Sequence, residues 1–182
     1  PLRLVGSEMC IRDRYKCIYR RLGRVRKGPY ICSIKQMAME TGLLHLHNLL
    51  RWVVLLLLLV GLFQAYAKKE SIRQSSLWLM IASHTMLLIG LYQTIAGRFG
   101  WLTLQLPAGT SVMSSKFYRF FLVEHPVLMI TSVVLITLAR GKAKALNYPS
   151  VAKLLLIALV LILLGIPWPG RAEIARPLFP GA

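Results

Sequence analysis

The amino-acid sequence predicts an all-α protein, specifically a four-helix transmembrane bundle with up-down-up-down topology. Of the 182 residues, 56% are hydrophobic and only 16% are charged, which is more apolar surface than one water-soluble core can bury. Four apolar segments are each about as long as a membrane-spanning helix. The alternating short strands of a membrane barrel are absent from the sequence, and lipid offers the backbone no partner outside helices and barrels.

The four predicted helices cover about residues 43–67, 77–96, 117–138 and 151–166. A serine or threonine lies near the start of each helix and is its expected N-cap: Thr41, Ser75 or Ser76, Ser114 or Ser115, and Ser150. Pro126 lacks an N–H group and is expected to bend the third helix locally. Trp168 follows the fourth helix, in the interfacial position that tryptophan favours.

Residues 1–36 differ from the rest of the chain, and we predict that they are a non-native basic extension. They contain ten basic and two acidic residues, together with all three cysteines. Residues 4–13 (LVGSEMCIRD) resemble the in-frame translation of a sequencing-library transposase adaptor. We therefore expect the native start at Met37 or Met39 and one membrane domain over residues 37–182. A domain without cysteine has no disulfide framework, no covalent C-x-x-C-H haem attachment and no thiol nucleophile.

The net charge of +17 is interpreted as a signal of membrane orientation, and no nucleic-acid partner is expected. The loops after the first and third helices carry seven basic residues: Lys68, Lys69, Arg73, Arg140, Lys142, Lys144 and Lys153. The opposite side carries five: Arg98, Lys116, Arg119, Arg171 and Arg176. The positive-inside rule therefore predicts a bacterial inner-membrane protein with both termini in the periplasm. A native segment before Met37 would favour the opposite orientation.

All four histidines lie within the predicted helices: His45 and His47 in the first, His84 in the second and His125 in the third. Ionisable residues inside a membrane are costly and tend to mark function. Imidazole is also the usual ligand of a haem b that has no covalent attachment. The helical rise places His47 and His125 within about 6 Å in depth, whereas His84 lies roughly 9 Å deeper than His125. His47 and His125 are therefore the predicted metal ligands, and His84 with His125 is the second choice.

Further residues are expected to support a haem site. His45 is two residues from His47, so the two side chains point to different faces of one helix. Arg51 follows His47 by one turn, and Arg119 lies near the start of the third helix, where guanidinium groups are expected to pair with the haem propionates. The apolar loop over residues 97–115 is expected to lie on the membrane surface as a lid above this side.

Purely structural roles are the alternative explanation for these histidines and arginines. Histidines near a helix end anchor in the headgroup region, buried histidines hydrogen-bond between helices, and arginines extend to lipid phosphates. The sequence contains no H-E-x-x-H motif, P-loop or dinucleotide fingerprint, so these enzyme classes are excluded. Three kinds of protein remain: a haem-containing electron carrier, a cofactor-free accessory subunit, and a quinone-binding or small-solute transport protein.

Several short motifs resemble small four-span membrane proteins of Bacteroidetes-type bacteria that are called cytochrome b. The matching segments are residues 44–52 (LHLHNLLRW), 83–84 (SH), 87–90 (LLIG), 119–120 (RF), 123–125 (VEH) and 165–169 (GIPWP). The resemblance implies haem b and electron transfer, with a quinone or a redox protein as partner. It marks His45, His47, His84 and His125 as candidate ligands and does not select a pair among them.

Overall fold

The computed structural model describes residues 28–97, 100–104, 106 and 109–176, with side chains from Met39 onward. The chain divides into two units, Pro1–Ala38 and Met39–Ala182. Of the first unit only the helical backbone of residues 28–38 is described, so most of the predicted non-native extension, including the adaptor-like residues 4–13, lies outside the described residues. Arg98 and residues 99, 105, 107 and 108 of the expected lid also lie outside them.

The described part of the chain is entirely helical apart from turns and loops. Helix α1 comprises Gly28–Tyr66, α2 Ile72–Ala96, α3 Lys116–Arg119, α4 His125–Lys144 and α5 Tyr148–Gly165, and a π-helical turn, Phe120–Glu124, joins α3 to α4. Four segments are long and apolar enough to cross a membrane: Met39–Tyr66, Ile72–Ala96, Lys116–Lys144 and Tyr148–Gly165. The predicted all-α bundle of four spans is therefore confirmed.

Three of the predicted helix starts are wrong. Helix α1 continues through Thr41, which therefore is not an N-cap. Helix α2 begins at Ile72, and the hydroxyl groups of Ser75 and Ser76 donate to backbone carbonyls of the first turn. Such back-bonding competes with capping, because the hydroxyl is used within the helix.

Helix α5 begins at Tyr148, before the expected N-cap Ser150. Its N-cap is Asn147, whose side chain accepts a hydrogen bond from the Ser150 backbone N–H at 3.3 Å. Pro149 lies within the first turn, where its missing N–H costs nothing and its fixed φ favours helix. The third span begins as predicted, with Ser115 at the N-cap position, although without a capping side-chain bond, and it extends past residue 138 to Lys144.

The helices alternate in direction, as contacts at the two ends of the bundle show. At one end, the Arg140 guanidinium near the end of α4 donates to the Arg73 carbonyl at the start of α2, at 2.6 Å. At the other end, His47 of α1 meets His125 at the start of α4, and Gly165 at the end of α5 contacts Met129 of α4. The predicted up-down-up-down order follows from these contacts.

The core is a single apolar cluster to which all four spans contribute. Its largest fully buried side chains are Leu58, Ile72, Leu79, Ile136 and Leu155. The opposite helix faces carry exposed large apolar side chains, such as Leu56, Leu88, Val134 and Leu164. Exposed apolar surface on this scale is unfavourable in water and is what a hydrocarbon solvent requires. The chain is therefore a multi-pass membrane protein with lipid as its surroundings.

Candidate functional site

Two histidines from different spans meet inside the bundle. The rings of His47 and His125 have centroids 6.3 Å apart and planes inclined at 62°. His47 lies in the first half of the α1 span, and His125 is the first residue of α4. This is the pair that depth arguments favoured from the sequence.

A hydrogen bond to the next helix orients the His125 ring. His125 Nδ1 lies 2.8 Å from the backbone oxygen of Gly165, which can only accept, so the Nδ1–H donates. In a neutral imidazole the second nitrogen, Nε2, then carries the free lone pair. This arrangement is the usual outer-shell support of a metal-binding histidine.

The ring of His47 lies against a glycine of α2. A β-carbon on Gly90 would approach His47 Cε1 to 3.2 Å and His47 Nδ1 to 3.8 Å, so a larger side chain would meet the ring. His47 Nδ1 is buried and has no hydrogen-bond partner among the described residues. The Met86 backbone lies close enough for a weak hydrogen bond to the His47 ring, although Nδ1 makes no hydrogen bond of standard geometry.

A buried cation lies next to the histidine pair. Arg51 follows His47 by one turn and is only 6% exposed. Its guanidinium carbon lies 5.1 Å from the centre of the Trp52 ring, and its charge acts on His47. A buried guanidinium of this kind favours an anionic group nearby, since Coulomb interactions strengthen in a low-dielectric interior.

The π-helical turn before His125 sets the direction of its side chain. The His125 N–H bonds to the Phe120 carbonyl five residues earlier, and Pro126 has no N–H for the usual bond. In a regular α-helix, residues five apart diverge by about 140° around the axis. Here Phe120 and His125 have ring centroids 6.1 Å apart, and Arg119 pairs with Glu124 at 2.8 Å. Both contacts join residues five apart, as the wider turn allows.

Side chains cap the last carbonyls of α5 around the His125–Gly165 bond. Trp168 Nε1 donates to the Leu163 carbonyl at 2.9 Å, and Arg171 Nη1 donates to the Leu164 carbonyl at 2.9 Å. The Arg171 guanidinium also lies 5.1 Å from the centre of the Phe120 ring, which packs beside His125. The segment after α5 therefore helps to hold the histidine in place.

A slot extends along the bundle from the histidine pair. Its lining runs on α2 from Ser83 to Thr94 and on α4 from His125 to Ile136, and eleven residues of helix rise about 16 Å. The enclosed cavity measures about 40 Å³, whereas the unfilled space including its open side is about 490 Å³. The three hydroxyl groups on its wall, those of Ser83, Thr94 and Ser132, donate to carbonyls of their own helices.

The separation of the histidine pair can be compared with that of two imidazoles that ligate one metal ion. With a metal–nitrogen bond of about 2 Å on each side, two facing imidazoles have ring centres roughly 6 Å apart. The observed separation of 6.3 Å agrees with this value. Among the described residues no group of three or more His, Cys, Asp or Glu side chains forms a metal site, and a porphyrin needs only two ligands from the protein. Because the enclosed part of the slot measures only about 40 Å³, most of a porphyrin ring would have to lie in the open part of the slot.

The remaining predicted site residues lie apart from the pair. His84 is exposed, and its Nδ1 donates to the Met80 carbonyl of the same helix at 2.8 Å, so the structure does not bring it to His125. His45 is also exposed. Arg119 forms its ion pair with Glu124.

Four residues that support the site were not predicted as such from the sequence. Gly90 and Gly165 are visible in the sequence, but a glycine in a helix does not indicate which neighbouring side chain will pack against it. Phe120 needed the π-helical turn to reach His125. Arg171 was counted only as a charge on one side of the membrane, and its contact with Phe120 depends on the fold.

Fold and site together define a multi-pass membrane protein with a partly buried histidine pair between its first and third spans. No family model matches the chain, and no curated protein or solved structure matches it either.

Proposed function

We propose that the protein is a b-type cytochrome-like electron carrier of the bacterial inner membrane, with His47 and His125 as axial ligands of haem b. The observation that carries this proposal is the convergence of two imidazoles from different spans at 6.3 Å, beside a slot between the helices. When bound, a haem with two imidazole ligands supplies reversible one-electron transfer.

The surrounding residues have defined tasks in this proposal. The Gly165 carbonyl orients His125 so that Nε2 is the ligating atom. Arg51 offers a buried positive charge for a propionate. Arg171 stacks on Phe120, whose ring packs beside His125. The predicted Arg119 pairs with Glu124 instead. The apolar wall excludes water, and burial of this kind is one of the means by which proteins set a haem potential.

An electron carrier needs a donor and an acceptor. A membrane quinone and a second redox protein are the two classes of partner that the proposal implies. The proposal also includes the predicted orientation, in which the histidine pair lies nearer the periplasmic side and both termini are periplasmic.

A spectroscopic experiment tests the haem proposal. The full chain is produced with haem supplied in excess, purified in mild detergent, and examined by reduced-minus-oxidised spectra and pyridine haemochrome. We expect a Soret band and a sharp α band, and we expect the sharp α band of the six-coordinate haem to be lost in His47→Ala and in His125→Ala. His84→Ala is the matched control, because His84 is exposed and hydrogen-bonded within its own helix. A folded wild-type protein that remains colourless would refute the proposal.

A copper(I) ion is the second candidate ligand, because two thioethers line the same slot. Met86 of α2 and Met129 of α4 are both buried beside His47 and His125. Thioether and imidazole ligands suit copper(I), and the enclosed cavity of about 40 Å³ admits a single ion. Metal analysis of the purified protein separates the candidates. One copper per chain, lost in Met86→Leu and Met129→Leu, would favour copper. A protein without haem or metal would favour an accessory subunit or a quinone-binding or transport role.

A further inference from the structure

The two histidines of the pair are held unequally. We propose that His125 is the permanent ligand and His47 the exchangeable one, so that the reduced site binds a small neutral diatomic molecule such as carbon monoxide in place of His47. This inference rests on the proposed haem function and adds a ligand-binding property to it.

Contacts from two other segments immobilise His125. Its Nδ1–H donates to Gly165 of α5, and the neighbouring carbonyls of Leu164 and Ile166 accept from Arg171 at 2.9 and 3.4 Å. The Phe120 ring packs beside the imidazole at 6.1 Å and is itself covered by Arg171. Rotation of His125 away from the pair would break its hydrogen bond inside a membrane, where no water replaces it.

Nothing comparable fixes His47 within the described structure. Its Nδ1 has no hydrogen-bond partner there, and the surface on that side is the bare backbone of Gly90. Within the part of the chain that the structure describes, the only hydrogen bond that turning of this ring would break is the weak one to the Met86 backbone, whereas His125 would lose its 2.8 Å bond to Gly165.

The chemistry of ligand exchange favours departure of the less supported imidazole. An imidazole whose second nitrogen donates to a carbonyl is the better oriented and stronger donor to a metal, and loss of such outer-shell support costs about 10–100-fold in metal affinity. In the exchange, the bond between iron and His47 Nε2 breaks and a bond between iron and the carbon of carbon monoxide forms. Both ligands are neutral, and no proton or electron is transferred.

The test uses the full haem-loaded chain. The dithionite-reduced wild-type protein is titrated with carbon monoxide and followed in the Soret region. We expect a saturable shift of the Soret band. His47→Gly should retain haem in a five-coordinate state, bind carbon monoxide more tightly than the wild type, and return to a six-coordinate spectrum on addition of free imidazole.

The companion variant His125→Gly should retain about tenfold less haem per folded protein than His47→Gly, because the supported ligand has been removed. His84→Gly serves as the control and should match the wild type in haem content and in its response to carbon monoxide. If His125→Gly yields no folded protein, haem retention by His47→Gly decides the matter, because it shows that His125 holds the haem without His47.

Two results would overturn the inference. One is a haem-loaded wild type whose spectrum is unchanged at saturating carbon monoxide. The other is equal haem loss in His47→Gly and His125→Gly. Both leave the haem proposal intact, because haem is bound in the wild type. Absence of haem from the folded wild type would instead refute the proposed function itself.

Discussion

At the scale of single residues, two glycines make the histidine pair possible in different ways. Gly90 admits the edge of the His47 ring against the α2 backbone, and Gly165 offers its carbonyl to His125. A β-carbon on Gly165 would overlap the end of the Met129 side chain, so α4 and α5 approach each other closely at this level. The site therefore depends on the lack of a side chain at Gly90 and Gly165 as well as on the two histidines.

Replacement of Gly90 by valine should displace the His47 ring and destabilise the bundle. Overpacking of this kind typically costs about 1–3 kcal/mol, and the measurement is the thermal unfolding temperature in detergent without added haem. Gly141→Val is the matched control, because a β-carbon at Gly141 has no heavy atom within 4 Å. The control should unfold at or slightly above the wild-type temperature. Equal losses in both variants would show that the contact between Gly90 and His47 is unimportant for stability.

At the scale of helices and turns, two irregular segments position His125. The π-helical turn Phe120–Glu124 aligns Phe120 with His125, and the segment after α5 caps the carbonyls beside Gly165. Pro126 was expected to bend this helix. The observed distortion is a widened turn on its N-terminal side, as expected where a proline removes one backbone hydrogen bond. A π-helical turn is not evident in a hydrophobic pattern, because it changes the helical period for only one turn.

Arg171 should matter more for stability than Arg119, although the sequence predicted Arg119 as a partner of the haem propionates and Arg171 only as a charge on the same side. Arg171→Ala removes two hydrogen bonds to helix-terminal carbonyls and the contact with Phe120, for an expected loss of about 1–2 kcal/mol. Arg119→Ala breaks an ion pair whose side chains are 38% and 44% exposed, worth about 0–1 kcal/mol. Chemical unfolding in mixed micelles measures both changes. A larger loss for Arg119→Ala would contradict this ranking.

At the scale of the whole molecule, the basic residues are divided unequally between the two ends of the bundle. The contact of Arg140 with Arg73 brings the ends of both short loops to one end of the bundle, so their seven basic residues form one surface. Four of the five basic residues on the opposite side lie within the described chain, and Arg119, Arg171 and Arg176 there contact acidic or aromatic side chains. This asymmetry is the physical basis of the predicted orientation.

Single cysteines test the orientation in a chain whose Cys10, Cys17 and Cys32 are replaced by serine. Met113→Cys lies in the long loop, and Glu70→Cys lies in the first short loop; both positions are exposed. We expect a membrane-impermeant maleimide to label Met113→Cys in spheroplasts, and Glu70→Cys only after lysis. Labelling in the reverse order would place the short loops outside and both termini in the cytoplasm.

Much of the fold could be predicted from the sequence, because the apolar composition of a segment indicates that lipid, rather than water, surrounds it. A continuous apolar segment of about 20 residues has few stable arrangements other than a helix across the membrane. Helix ends were predicted less well: the Ser75 hydroxyl bonds back into its own helix, Asn147 caps the helix that contains Ser150, and α1 continues through Thr41. Charge placement predicted an orientation but not the contact of Arg140 that joins the two loops.

The sequence alone determined that this chain forms four membrane helices, and it made His47 with His125 the preferred histidine pair over His84 with His125, because helical rise converts residue number into depth. Only the tertiary structure decided which faces meet. It placed His47 against Gly90, joined His125 to Gly165, and left His84 on an outer face. The reason is physical: rotation of each helix about its axis depends on packing with three neighbours at once, and a π-helical turn changes that rotation without changing the composition of the chain.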